Sequence, residues 1–335
     1  MMGTKNVIKT VQSIFIGTLS ILAIVGGGVA RSAQSDPDTE MVIVVGAGGT
    51  ESYEKQFAQV ATKLEEVARI AKMPSQSIAA TPSSESEQNP RDLLQEFLGS
   101  AKRDGGRPLW IVFIGHGTFT RGVAKFNLTG PDVSADELNE WIKPFERPIV
   151  LINTTSASAP FINALSHRGR TIVTATQSGN EVNVTRFAEY FAESLADPKS
   201  DLDHDDAISV YESVLAAASQ TNQSYRRDDR LATEHALIDD NGDGLGTPIL
   251  KLDESTTSLQ LTDGRSARKI TISLQEGPQW TDKQLAERSK LETQLEELRQ
   301  RKAELDEPEY AQQLEQILVP IAKLYRNVYA KTQAQ

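Results

Sequence analysis

The chain has 335 residues, 39% of them hydrophobic and 24% charged, which is enough apolar material for a packed core and excludes global disorder. A formal net charge of −11 excludes the basic footprint of a general nucleic-acid binder. With no cysteine the chain has no disulfide, thiolate metal site or cysteine nucleophile, and four histidines leave little for a multi-histidine metal centre.

Residues 1–30 read as a signal peptide or an N-terminal anchor. Lys5 and Lys9 precede an uncharged stretch, 10–30, whose centre from Ile14 to Val25 is apolar, and Gly28 and Ala30 place small residues where a signal peptidase reads. Uncleaved, the stretch is just long enough to span a bilayer. The expected location is therefore outside the cytoplasm, in a bacterial periplasm or cell envelope, with membrane contact only through residues 10–30. Residues 31–40 are polar, contain Pro37 and read as a linker.

From 41 to 250 apolar runs alternate with helical periods. Residues 41–45 (MVIVV) form a strand that ends in a glycine-rich turn, 46–49. Phe57, Val60, Ala61, Leu64, Val67 and Ala68 then recur at helical spacing. A short strand is predicted at 76–80, a helix at 90–101 and the strongest strand at 108–114, followed by Gly115, His116 and Gly117. Ser134 with Glu137 three residues on is a capping box that opens a helix. Residues 148–152 and 170–175 are further strands. Continuous apolar strands separated by helices predict an α/β fold with a mostly parallel sheet covered on both faces. Ligands of such sheets sit beyond the carboxyl ends of the strands, where His116, 154–158 and 176–181 fall. The run Gly46-Ala47-Gly48-Gly49 falls short of a dinucleotide fingerprint, because Glu51 stands where the third glycine belongs.

A histidine between two glycines after a buried strand projects from the sheet edge, and the Gly117 N–H is placed to face a developing oxyanion. The next strand ends in Thr154, Thr155, Ser156, Ala157 and Ser158. A hydroxyl there beside His116 is a nucleophile–base pair, or else these hydroxyls cap the helix beginning near Pro160. The order strand, Gly-His-Gly, helix, strand, Ser-rich turn resembles the caspase-like cysteine peptidases, most of all their legumain-type branch. The resemblance covers about 41–195 and implies a caspase-like three-layer sandwich with His116 as catalytic imidazole. Ser156-Ala157-Ser158-Ala159 is similar to the family's nucleophile turn with Ser156 in place of cysteine; counted from the strand end, Thr155 takes that position instead. Residues 115–119 and 230–237 also resemble a group of exported bacterial proteins with no assigned activity. The departure is chemical: a thiol near pKa 8.5 ionises beside a histidine, whereas a hydroxyl needs an oriented base. The loop after the first strand also lacks the arginine of the family's specificity pocket.

A second signal is independent of the first. Asp201, Asp203, Asp205, Ser209 and Glu212 occupy positions 1, 3, 5, 9 and 12 of an EF-hand loop, Ile208 is the apolar position 8, and Ala207 supplies the position-7 carbonyl. Asp206 replaces the usual glycine at position 6, which lowers the expected affinity for Ca2+. Asp239, Asn241 and Asp243 repeat the start of such a loop as a weaker site, with Leu250 where the bidentate glutamate belongs. His235 just before it reads as a packing residue on a helical stretch.

Residues 251–280 form an irregular or strand connector. Residues 281–331 read as a coiled-coil-like helical hairpin, with Leu291, Leu295, Leu298 and Leu305 on the first helix, a stop at Asp306-Glu307-Pro308, and Leu314 to Val328 with Pro320 on the second. Two functions follow. One is a catalytically impaired peptidase homologue acting as a calcium-stabilised scaffold for a peptide or protein partner. The other is an active hydrolase using Ser156 or Thr155 with His116.

Overall fold

The computed structural model describes residues 39–79, 88–203, 205–252, 263–274 and 281–332. The segment read as signal or anchor, most of the linker and parts of the connector lie outside these residues. Among the described residues no helix is long and apolar enough to cross a membrane.

A seven-stranded sheet forms the centre. In chain order its strands are β1 (Glu40–Val45), β2 (Ser75–Ile78), β3 (Leu109–Ile114), β7 (Ile149–Asn153), β8 (Arg170–Thr174), β10 (Leu237–Asp239) and β11 (Thr247–Pro248). Their spatial order is β11-β10-β8-β7-β3-β1-β2. The five strands from β2 to β8 are parallel, and β10 and β11 add antiparallel at one edge. The strands between contain β4 (Gly117–Thr120), β5 (Val123–Phe126) and β6 (Val133–Ser134), a small antiparallel sheet absent from the sequence reading. It escapes a search for apolar runs because its strands are short, half of their residues are exposed, and its turn, Arg121-Gly122, is not a typical hairpin dipeptide.

Two helical layers cover the sheet, and the side-chain alternation of the strands assigns each residue to one of them. Met41, Ile43, Trp110, Val112, Val150, Ile152 and Val173 face α1 (Glu51–Ile70), α5 (Phe187–Ala196) and α6 (Val210–Arg227). Val42, Val44, Ile111, Phe113, Ile149 and Leu151 face α2 (Pro90–Ser100), α3 (Ala135–Ile142) and α4 (Pro160–Leu165). The result is a three-layer α/β sandwich, and burial on both faces explains why β1, β3 and β7 read as continuous apolar runs. Ala267 and Ile272 of the connector join the first of these cores, and β12 (Thr271–Ile272) pairs antiparallel with β9 (Ile208–Ser209).

At the amino ends of the strands, the buried Arg147 guanidinium pairs with Glu40 at 3.0 Å and donates to the carbonyls of Lys102, Arg107 and Pro108. It therefore ties β1 to the segments entering β3. The C-terminal hairpin consists of α7 (Asp282–Gln300) and α8 (Glu307–Thr332), which pack on each other and bury Leu291, Leu298 and Ile321. Thr281 and Gln284 form a capping box at its start, and Pro320 lies inside α8.

The capping box of α3 is formed as the sequence predicts: Ser134 accepts from Glu137 N–H while the Glu137 carboxylate accepts from Ser134 N–H. The Arg91 guanidinium of α2 lies 2.7 Å from the same carboxylate, and this hydrogen bond is the largest cause holding Glu137 down to about 2. A depressed carboxyl contributes stability above its unfolded pKa and loses it as pH falls through the folded one. The Glu137 side chain is 40% exposed, so screening reduces the contribution to about 1 kcal/mol. Glu137→Gln is expected to lose that amount at pH 7, with the difference from wild type shrinking between pH 4.5 and 2; denaturant unfolding across that range measures it.

Candidate functional site

The parallel register of β3 with β7 sets Phe113 opposite Asn153, so the residues after each strand emerge side by side at one rim of the sheet. His116 and the turn 154–158 lie at these neighbouring ends. Gly115 has φ 147°, and a Cβ on it would lie 3.0 Å from the Gly46 Cα, so glycine is needed for the chain to pass close to the end of β1. The His116 ring sits edge-on to Tyr53 and Phe57 of α1, 5.3 Å between centroids in each case. Its Nε2 is 3.3 Å from the Gly48 carbonyl oxygen. A carbonyl can only accept, so Nε2 carries the proton in this contact.

The hydroxyls after β7 face backbone. Ser156 Oγ accepts from the Gly117 N–H at 3.2 Å and donates to the Gly117 carbonyl at 3.1 Å. Thr155 donates its hydroxyl to Asn153 Oδ1 at 2.7 Å, and its N–H goes to the same oxygen. Thr154 donates to the Phe113 carbonyl, and Ser158 lies 3.1 Å from Thr176 Oγ1. None of them caps α4, whose N-cap is Ala159 with no side-chain bond. Thr155 and Ser156 are almost wholly buried, 0% and 2% exposed. The structure thus brings His116, Gly117, Thr155 and Ser156 together, but the imidazole bonds a carbonyl and both hydroxyls are satisfied elsewhere. The Gly117 N–H, the oxyanion donor in the sequence reading, points at Ser156 Oγ.

Two further residues belong to this rim. Asn153 organises the turn through Oδ1, and its buried Nδ2 has no hydrogen-bond partner among the described residues. Its signal in the sequence was only a polar residue ending an apolar strand. Glu181 lies in the loop after β8; its backbone carbonyl accepts from Ala157 N–H, and its carboxylate accepts from Gln177 N–H at 2.8 Å and meets His235 Nδ1 at 2.5 Å. His235 is therefore not a packing residue on a helix. Residues 230–236 have no regular secondary structure, and because β10 runs antiparallel to β8, His235 enters at the same rim as His116. The preceding Glu234 points the other way and accepts from Arg186 N–H, Phe187 N–H and the Tyr225 hydroxyl. Burial pushes the Glu234 carboxyl up against the lowering effect of these donors.

The acidic loop after α5 lies on the α5–α6 side of the sheet. Carboxylate oxygens of Asp201, Asp203 and Asp205 all lie within 4.8 Å of one another. Asp206 adopts φ 64°, the left-handed conformation that position 6 requires, and its N–H reaches Asp201 at 3.0 Å. Ala207 N–H reaches Asp205 at 3.0 Å. Glu212 is engaged with protein: it forms the capping box of α6 with Ser209 and accepts from Leu202 and Asp203 N–H. The loop 239–245 repeats the pattern, with Gly244 N–H on Asp239 at 3.2 Å and Leu245 N–H on Asp243 at 2.8 Å. Asn241 Nδ2 bonds Asp243 at 3.1 Å.

No family profile matches the sequence, and no curated protein matches it. Among solved structures the chain is similar to the Drosophila initiator caspase Dronc, with 11% identity over 65% of this chain and 86% of that one and a TM-score of 0.39. It is also similar to caspase-1 from Spodoptera frugiperda, with 11% identity over 63% of this chain and 91% of that one and a TM-score of 0.39.

A Cβ at residue 117 would lie 2.3 Å from the Ser156 carbonyl oxygen and 2.6 Å from Thr155 Oγ1. Gly117→Ala is expected to push the two strand ends apart at a cost of about 1–3 kcal/mol, read as a lowered denaturation midpoint.

Proposed function

We propose that this chain is a caspase-like peptidase homologue, of legumain type, whose hydrolytic centre is impaired and which works as an exported, calcium-stabilised binding scaffold. The observation that carries the loss of catalysis is the pair of bonds between Ser156 Oγ and the Gly117 backbone. A hydroxyl nucleophile needs a base within about 2.6–3.2 Å and a third group to orient that base. Here the hydroxyl is held by a backbone amide and carbonyl, and His116 faces the Gly48 carbonyl rather than a carboxylate. Fluorogenic peptides ending in asparagine or a basic residue are expected to show no turnover by the purified chain. Ser156→Cys supplies a more acidic nucleophile in the same turn, and slow turnover confined to that variant fits the reading. Turnover by the unaltered chain that disappears in Ser156→Ala overturns it and makes Ser156 with His116 a working pair.

The calcium part rests on the loop 201–212. Asp201, Asp203 and Asp205 already converge, the Asp206 backbone makes the sharp turn, and the Ala207 carbonyl sits at position 7. Calcium takes six to eight oxygen ligands, and these residues with Ser209 and Glu212 are the oxygen donors of the loop. Glu212 leaves its capping contacts to bind in bidentate fashion, which places the affinity at the weak, extracellular end of the range. Asp239, Asn241 and Asp243 form a second, weaker site on the same argument. A ligand that binds only the folded chain adds about 2.7 kcal/mol at a hundredfold excess over its dissociation constant. Millimolar Ca2+ is therefore expected to raise the denaturation midpoint and a chelator to reverse it. Glu212→Gln keeps the capping box, because glutamine serves at that position, yet removes most of the calcium effect. An identical midpoint with calcium and with chelator rules the site out.

A further inference from the structure

The C-terminal helical hairpin stands apart from the two cores of the sandwich. Neither core takes in a residue of α7 or α8, and among the described residues no strand or helix of the sandwich packs extensively against them. Two helices that pack mainly on each other leave apolar surface open, and a chain without cysteine has no disulfide to staple them. On α8, Leu314, Ile317, Leu318, Ile321 and Leu324 follow at steps of three and four, the spacing of one helix face. Of these Ile321 alone is buried, and the other four stay partly exposed. Leu295 of α7 is partly exposed as well.

Charge selects what covers this face. The first half of α8 is acidic and the second half basic. Glu307 and Glu309 sit in the first turn, where the helix dipole accounts for them. Glu315, Lys323 and Arg326 lie more than a turn from either end, beyond that reach. All three are exposed, and none has an opposite charge three or four residues away on its own helix. The ion pairs described in the hairpin, Arg288 with Glu292 and Arg301 with Glu304, do not involve them. Glu315 and Arg326 are separated by about three helical turns, so they share one side of α8. A second α8 laid antiparallel, about a two-fold axis beside Ile321, sets Leu318 opposite Leu324 of the copy. The same axis brings Glu315 within one residue of Arg326 of the copy, and symmetry makes the contact twice. A parallel copy instead sets Glu315 against Glu315. We propose that two copies of this chain associate through antiparallel α8 helices, closing their hairpins into a four-helix bundle. The inference goes beyond the scaffold reading, because this assembly needs neither calcium nor the rim of the sheet.

The test is sedimentation of the full chain across a concentration series, where a monomer–dimer equilibrium is expected. Glu315→Lys and Arg326→Glu each set like charges together at both symmetric contacts, and each is expected to lower the association constant about fivefold. The two substitutions combined restore opposite charges and are expected to recover the dimer. Leu318→Glu buries a charge in the bundle and is expected to leave a monomer. The charge variants keep the apolar stripe, so they decide the matter even where Leu318→Glu disturbs the hairpin itself. Orientation is read by cross-linking, since the chain has no cysteine of its own. Chains carrying Leu318→Cys and chains carrying Leu324→Cys are mixed and treated with a short bismaleimide. Mass spectrometry is expected to find 318 joined to 324 in preference to either residue joined to itself. A monomer at every concentration overturns the proposal, whether the stripe then meets its own sandwich or a different protein. So does a dimer indifferent to Glu315→Lys, Arg326→Glu and Leu318→Glu, a combined charge variant that stays as weak as the single ones, or self-joined chains in the majority.

Discussion

Residue 117 has no Cβ, and the rim of the sheet is built around that gap. The parallel pairing of β3 with β7 delivers two backbones to the same place, and only a glycine lets the turn 154–158 settle against β4. The approach turns the Ser156 hydroxyl towards the Gly117 amide and carbonyl. Thr155 is drawn inward to Asn153 by the same turn, and both hydroxyls end up buried. Burial of polar groups is tolerated because each hydroxyl has a protein partner, the condition that low-dielectric surroundings impose. Among the described residues the Nδ2 of Asn153, which meets no partner, is the exception at this rim.

Around that contact the loops are cross-linked by carboxylates. Glu181 joins three separate segments: its own loop, the turn at Ala157 and the strand entry at His235. One residue earlier, Glu234 satisfies the first backbone donors of α5 and the hydroxyl of Tyr225 on α6. Helix N-termini present unsatisfied N–H groups and a partial positive charge, so a carboxylate there is stabilising even when buried. Adjacent residues thus anchor the strap 230–236 in opposite directions, one into the helical layer and one onto the rim. Nothing in the spacing of the strap announces this, because it has no period.

The two acidic loops show the same local rule in different settings. In each, the amide at position 6 bonds the first aspartate and the amide at position 7 bonds the third ligand position. In the first loop Glu212 closes the capping box of α6, so its carboxylate is committed to helix initiation and to the Leu202 and Asp203 amides. The short pairing of β9 with β12 carries the loop back to the core through Ile208 and Ile272. The connector 263–274 is therefore tied to the sandwich rather than trailing from it.

Sequence alone determined the features that depend on local repetition. Runs such as 109–114 and 149–153 are apolar at every position because both faces of the sheet are covered, and that is visible in one dimension. The capping box at Ser134 is set by residues three apart and was legible as such; the one at Ser209 has the same spacing, but the sequence reading took Ser209 and Glu212 as loop positions 9 and 12 instead. The candidate site was legible as two strand ends, each marked by small residues. Tertiary structure decided what those residues touch. That Ser156 bonds Gly117, that His116 faces Gly48 and two aromatic rings, and that Glu181 meets His235 are contacts across 39 to 68 positions. No periodicity encodes such pairings, because they arise from strand order and register. The hairpin after His116 was missed for the complementary reason: its strands are short and half exposed, and their pairing rests on a two-residue turn whose backbone conformation the residues Arg121-Gly122 do not advertise.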